Sequence, residues 1–224
     1  DPCLSAQRDP IKKPWRRGDG IYALDFHSGH PQWFLPLEGE ANGLTWSQGL
    51  LAFTTGIQSE SQEYAHFNSL SQSVGVVDGK TGCLKWVYRQ QGSNSEFFQP
   101  LIVQDMVITG NEAGEIFAFN LEDGQLRWQT EIAGTIRSSP AWNGNFLYIA
   151  SSYGHVMALN LQGKKQWEQI ITHPYPSTSE RTDRFPVQFV AAPTAIDDAL
   201  YLSFARNTFY PHPAMVALDT ATGK

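Results

Sequence analysis

The sequence predicts an all-β fold assembled from repeated four-stranded antiparallel blades, and three observations carry that prediction. The first is the stretch IFAFNLEDGQLRW at residues 116–128, in which two arms rich in aromatic and β-branched residues flank a turn from Asn120 to Gly124. That is a hairpin signal: an Asn at the start takes an Asx-type turn, and a Gly at the end adopts the left-handed conformation that closes a short connection. The second is that the pattern alanine-x-(Asp/Asn)-x-x-x-Gly-x-x-x-Trp recurs. It runs through Ala23, Asp25, Gly29 and Trp33, and through Val76, Asp78, Gly82 and Trp86, then Ala118, Asn120, Gly124 and Trp128. A copy one residue shorter has Ala158, Asn160, Gly163 and Trp167, and another begins at Ala217, Asp219 and Gly223 just before Lys224. The third is spacing. Successive Asp/Asn positions lie roughly 40 to 60 residues apart, the period of propeller blades with insertions rather than of a single globular core.

Taken in order, residues 1–17 form an irregular segment, because Pro2, Pro10 and Pro14 are too dense for a central strand. Its Lys12, Lys13, Arg16 and Arg17 read as a solvated basic tail. Arg17-Gly18-Asp19 spells an adhesion tripeptide, but Gly18 to Gly20 reads as a turn before the strand Ile21 to Leu24. The repeat region spans 18–224. Upstream of the hairpins lies a second unit, a short apolar strand, a polar turn and another apolar strand. It occurs as Gly43–Thr55, Pro100–Gly110, Pro140–Ser151 and Pro193–Phe204. Proline at the start of such a strand sacrifices no ladder bond that matters. Asn143-Gly144 is among the strongest two-residue hairpin signals. Each repeat therefore supplies four strands, A to D, and Trp33, Trp86, Trp128 and Trp167 are the expected fillers between successive sheets.

Composition agrees. Charged residues are 17% and aromatics 12%, with 19 Gly and 13 Pro, which suits short strands joined by turns and argues against disorder. A net charge of −6 offers no attraction for nucleic acid or anionic lipid. No segment reaches the ~18 apolar residues of a membrane helix, and the N-terminus as written carries no signal peptide. The two cysteines, Cys3 and Cys83, are too few for a disulfide framework and read as incidental thiols or one unshared bridge.

Four strands ending in alanine-x-Asp-x-x-x-Gly-x-x-x-Trp resemble the tryptophan-docking repeat of the quinoprotein-like, or pyrroloquinoline-quinone (PQQ)-like, β-propellers. The resemblance covers residues 18 to 224 and implies that Trp33, Trp86, Trp128 and Trp167 lock adjacent blades. The resemblance implies a ring of about seven or eight blades, within the range of propellers, so four hairpins and a cut fifth read as an incomplete ring, a fragment of a longer one, with a smaller closed ring as the alternative. The family holds both quinone-dependent alcohol and sugar dehydrogenases and a non-catalytic outer-membrane assembly lipoprotein. Its motif residues are structural, so the likeness speaks to fold more than to activity.

Parity places function. In a four-stranded antiparallel blade the A–B and C–D turns share one face, and the B–C turns and D-to-A links share the other. Long insertions fall at Thr55–Ser73, Thr172–Val187 and Ala205–Pro213, all on the second face. They bring Tyr64, His66, Phe67, His173, Tyr175, Arg181, Arg184, Phe185, Arg206, Phe209, Tyr210 and His212, an aromatic and cationic mixture suited to recognition. Phe98 and Arg137, in shorter links, are expected at the mouth of the central channel. A quinone dehydrogenase would need PQQ with calcium, an aspartate base and, in many members, adjacent cysteines. No Cys-Cys pair occurs, and Asp197-Asp198 lies in an A–B turn on the opposite face. The histidines show no metal-ligand spacing, and no nucleophile elbow, phosphate loop or dinucleotide fingerprint is present. The expected function is a non-catalytic platform with no cofactor. It binds a protein partner or small ligand on the insertion-bearing face, with remaining blades or a second copy as further partners. The resemblance implies an extracytoplasmic, periplasmic setting. The alternative is a PQQ-dependent dehydrogenase fragment whose catalytic residues lie in other blades.

Overall fold

The computed structural model describes residues 20–37, 41–56, 72–90, 95–172, 187–189, 191–205 and 214–224. It divides into two compact units, Asp1–Ile108 with Phe119–Arg127, and Thr109–Ala118 with Trp128–Lys224. The described residues are all β apart from one short 3-10 turn, Ser152–Gly154.

The first unit opens with the hairpin β1 (Gly20–Leu24) and β2 (Pro31–Pro36), paired so that Ala23 faces Trp33. A four-stranded antiparallel sheet follows, in the order β3 (Ala41–Ser47), β4 (Leu50–Thr55), β5 (Ser73–Asp78) and β6 (Leu84–Arg89). Its middle strands are buried almost throughout, whereas β6 alternates between buried and exposed. A strand covered on both faces selects a continuous apolar run, and an outer strand selects alternation. Ile21, Trp33, Leu35, Phe53 and Val77 form one core cluster of this unit.

The third sheet consists of β7 (Leu101–Val103), β8 (Met106–Gly110), β9 (Glu115–Asn120) and β10 (Leu126–Glu131), in sequence order. In the second unit a fourth sheet runs β11 (Ala141–Trp142), β12 (Leu147–Ala150), β13 (His155–Leu159) and β14 (Lys165–Ile170). In the fifth, β15 (Gln188–Phe189) and β16 (Thr194–Ile196) pair with the two ends of β17 (Ala199–Ala205), which pairs in turn with β18 (Ala214–Asp219). Pro100, Pro140 and Pro193 each stand one residue before an A strand. The core here contains Tyr148, Val156, Ala158, Trp167, Leu200, Leu202 and Leu218.

The same chemistry builds each C–D turn. Asp25, Asp78 and Asp219 each accept through one carboxylate oxygen the backbone N–H two and three residues on and the hydroxyl of Ser28, Thr81 or Thr222. The turn hydroxyl gives the largest or second-largest of the effects that lower these carboxyl pKa values, alongside the N–H of the same residue. Asn120 and Asn160 take the N–H of Glu122 and Gln162 in the same way. Each indole N–H then donates to a backbone carbonyl in the next repeat's turn. The pairs are Trp33 to Gly79 (3.1 Å), Trp86 to Leu121 (2.9 Å), Trp128 to Leu161 (2.8 Å) and Trp167 to Thr220 (3.0 Å). Each ring covers that turn's glycine, so that a Cβ on Gly82, Gly124, Gly163 or Gly223 would stand within 2.6 Å of it. Trp33, Trp86 and Trp167 are buried and Trp128 is half-buried.

Cys83 is disulfide-bonded. Of the two readings open from sequence, the thiol is therefore the one set aside for this residue. It follows Gly82 directly, in the turn that receives Trp33.

Candidate functional site

The B–C turns begin at a buried polar residue in three sheets: Thr55, Asn111 and Ser151. A hydrophilic group at the end of an apolar strand is retained when it ties down the turn beyond it. Thr55 accepts the Ser73 N–H, and Asn111 accepts the N–H of Ala113 and of Glu115. Ser151 donates its hydroxyl to the Ala133 carbonyl in the link arriving from β10. Two further bonds join turn to link: the Ser152 N–H to the Thr135 carbonyl and the Thr135 N–H to the Ser152 hydroxyl, both at 2.8 Å. The Ile171 N–H closes the far side on the Gly154 carbonyl.

Tyr153 sits in this clamped turn at φ 70° and is 61% exposed. A bulky residue in the left-handed region is unfavourable, and such strain concentrates where a side chain must be aimed. Tyr153 lines a cavity of about 470 Å³. Thr135, Arg137 and Ser138 line it from the link, Ser151 to Tyr153 from the turn, and Gln188 and Phe189 from β15. All of these belong to the second unit.

Arg137 supplies the positive charge. Its Nη2 makes an ion pair with Glu112 Oε1 at 3.6 Å, and its side chain is 70% exposed. Two residues past Tyr153, His155 Nδ1 stands 3.1 Å from Glu168 Oε1, and Lys165 Nζ donates to Glu168 Oε2 at 2.8 Å. Lys165, then His155, hold the Glu168 carboxyl below its ordinary value against the opposing effect of burial. The site thus combines a cation, two aromatic rings, an amide and several hydroxyls.

Of the residues expected on this face, Tyr64, His66, Phe67, His173, Tyr175, Arg181, Arg184, Phe185, Arg206, Phe209, Tyr210 and His212 lie outside the described residues. Arg137 lines the cavity; Phe98, half-buried in the link before β7, does not. Asp197 and Asp198 occupy the turn between β16 and β17. Sequence reasoning missed Tyr153, Ser152, Thr135, Gln188 and Phe189. The available signal was Ser151-Ser152-Tyr153-Gly154, where a large aromatic stands in a short turn that elsewhere carries Ala113. Among the described residues no three His, Cys, Asp or Glu side chains converge as metal ligands.

Comparison with known proteins gives the lineage. Over 139 residues the chain is 24% identical to the outer membrane protein assembly factor BamB of Moranella endobia (strain PCIT), covering 62% of this chain and 34% of that protein. It is 26% identical over 161 residues to a polyvinylalcohol dehydrogenase of Sphingopyxis sp. (strain 113P3), covering 63% of this chain and 23% of that protein. The chain therefore spans about a third or less of the length of these curated relatives. The crystal structure of BamB from Moraxella catarrhalis superposes with a TM-score of 0.65 at 20% identity, over 92% of this chain and 60% of that one, which establishes the β-propeller fold. The family model described as outer membrane protein assembly factor BamB matches residues 15–224, and the chain belongs to that family of PQQ-like repeat propellers.

Proposed function

We propose that this chain is a non-catalytic protein-binding platform of the cell envelope, and that the cavity bounded by Arg137, Tyr153 and Phe189 seats an acidic segment of its partner. One observation carries the reading: Tyr153 is held in a costly backbone conformation, beside a cation, over a cavity of about 470 Å³. Cavities of roughly 300–1,000 Å³ lined by aromatic groups with a few fixed polar ones are the usual form of a binding site. The guanidinium suits a carboxylate in a paired geometry, while the two rings suit an adjacent apolar side chain. The assembly-factor relatives support a protein as partner, and a disulfide at Cys83 supports an oxidising, extracytoplasmic compartment. The insertion ending at Val187 enters β15 directly, so Tyr175, Arg181, Arg184 and their neighbours are proposed to extend this surface, with Trp33, Trp86, Trp128 and Trp167 keeping the repeats in register.

Site-specific photo-crosslinking in cells tests it. A photo-reactive residue at Tyr153 is expected to give a discrete adduct with an envelope protein, and Arg137→Glu to reduce that adduct at least tenfold. The same group at Gly144, in an A–B turn, is expected to give none. Equal adducts from both positions, or indifference to Arg137→Glu, would refute the reading. The dehydrogenase relative favours a second one, in which this chain is part of a quinone enzyme. Dye-linked alcohol oxidation on adding PQQ and calcium to the full-length protein would establish it.

A further inference from the structure

Arg137 stands between two B–C turns of the second unit. On one side are Ser151 to Tyr153, which line the cavity with it. On the other is Glu112, whose Oε1 lies 3.6 Å from Arg137 Nη2 and which does not itself line the cavity. This carboxylate is presented by a turn with little freedom. Asn111 Oδ1 accepts the N–H of Ala113 and of Glu115, both at 3.0 Å, and the Gly114 N–H returns to the Asn111 carbonyl at 3.1 Å. The same carbonyl takes the Ile136 N–H at 3.3 Å, and the Ile132 N–H closes on the Gly114 carbonyl at 2.9 Å. Turn and link are therefore joined at Asn111 and Ile136, the residues directly before Glu112 and Arg137. Main-chain bonds thus hold the two charges near one another.

Both side chains reach solvent, Arg137 at 70% and Glu112 at 38% exposure. An exposed pair of this kind adds little to folding stability, but it changes the charge that the cavity offers. An acidic group entering beside Tyr153 meets a guanidinium already facing one carboxylate, with a like charge behind it. We propose, on the reading of this cavity as a binding site, that Glu112 is an internal counter-ion that competes with the incoming carboxylate for Arg137 and so sets the affinity of the cavity for acidic groups. A guanidinium engages a carboxylate best through two parallel N–H donors, so the incoming group gains its full contact as the Glu112 pair loosens. The consequence is a sign. Removing the Glu112 charge strengthens binding, whereas the loss of a glutamate that served to position Arg137 would weaken it.

The probe is phenylacetate, a carboxylate beside one ring, with phenylacetamide as its neutral counterpart. Each is titrated into the isotope-labelled full-length protein while the arginine Nε–H resonances are followed. Glu112→Gln is expected to bind phenylacetate about threefold more tightly, the size of an exposed ion pair, and phenylacetamide no better. That gain is expected to vanish in about 1 M salt, where the Debye length is about 3 Å, and to be absent when Arg137→Gln is already in place. With no ligand added, Glu112→Gln is expected to move the Arg137 Nε–H resonance. Equal or weaker phenylacetate binding by Glu112→Gln, or an equal gain for phenylacetamide, would overturn the proposal. The crosslink from Tyr153 separates the two failures. An adduct that falls with Arg137→Glu but does not rise with Glu112→Gln would sink the counter-ion and leave the platform standing; no adduct at all would sink both.

Discussion

The two ends of a repeat are built on opposite plans. At the C–D end, four turns of different sequence, one of them a residue shorter, each carry an Asp or Asn acceptor and each receive an indole. At the B–C end, turns of the same length diverge in chemistry. At Asn111 to Glu115, side-chain bonds run within the sheet: the Asn111 amide and Gln129 both donate to the Glu115 carboxylate. Ser151 to His155 instead turns its polar atoms toward the incoming link, and in place of Glu115 and Gln129 it carries His155 and Glu168. Stability is thus invested at one end, and a side chain is spent on strain at the other.

The contrast breaks first at the docks. Trp167→Ala is expected to cost about 3–5 kcal/mol in denaturant unfolding, the range for truncating a buried indole, and half-buried Trp128→Ala should cost less than Trp167→Ala. A loss below about 1 kcal/mol at Trp167 would show that the sheets do not depend on these contacts. Next come the glycines. Gly124→Ala meets both a positive φ and the Trp86 ring 2.5 Å away, whereas Gly49→Ala meets the backbone penalty alone. The difference between the two should be about 1–3 kcal/mol, the cost of overpacking, and near-equal midpoints would remove the steric role of the indole.

A smaller effect of opposite sign is expected on the recognition side. Tyr153→Gly relieves a left-handed tyrosine and should raise stability by up to about 1 kcal/mol, while abolishing the crosslink described above. Destabilisation would mean that Tyr153 is a packing residue. The smallest effect is in acid. Hydrogen bonds from Thr81, Thr222 and Ser28 lower the carboxyl pKa values of Asp78, Asp219 and Asp25. A carboxyl depressed on folding stabilises the fold fully above its unfolded pKa, near pH 4, and loses that contribution as pH falls through its folded value. Asp78→Asn keeps the acceptor and should flatten the unfolding midpoint below about pH 4; an unchanged acid limb would show that Asp78 does not titrate on unfolding.

The strands and C–D turns were readable because their chemistry is local. Hydrophobic runs, an Asp or Asn, a glycine and a tryptophan lie within a dozen residues of one another. Even there, the hydroxyl of Ser28, Thr81 and Thr222 went unread, though Asp-x-x-(Ser/Thr)-Gly stands in three copies. The cavity was not legible: Arg137 was expected at the mouth of a central channel, not in this cavity. Its walls come from three separated segments, and nothing in a tyrosine's identity announces a positive φ. The pairing of β15 with the far end of β17, which brings in Gln188 and Phe189, depends on register rather than on composition.

Every docked indole N–H ends on a main-chain oxygen. Glycine, leucine and threonine all serve at that position, since the peptide bond itself supplies the acceptor. Mutation there leaves the anchoring contact in place, so the sequence can drift at the very points where the repeats are fastened together.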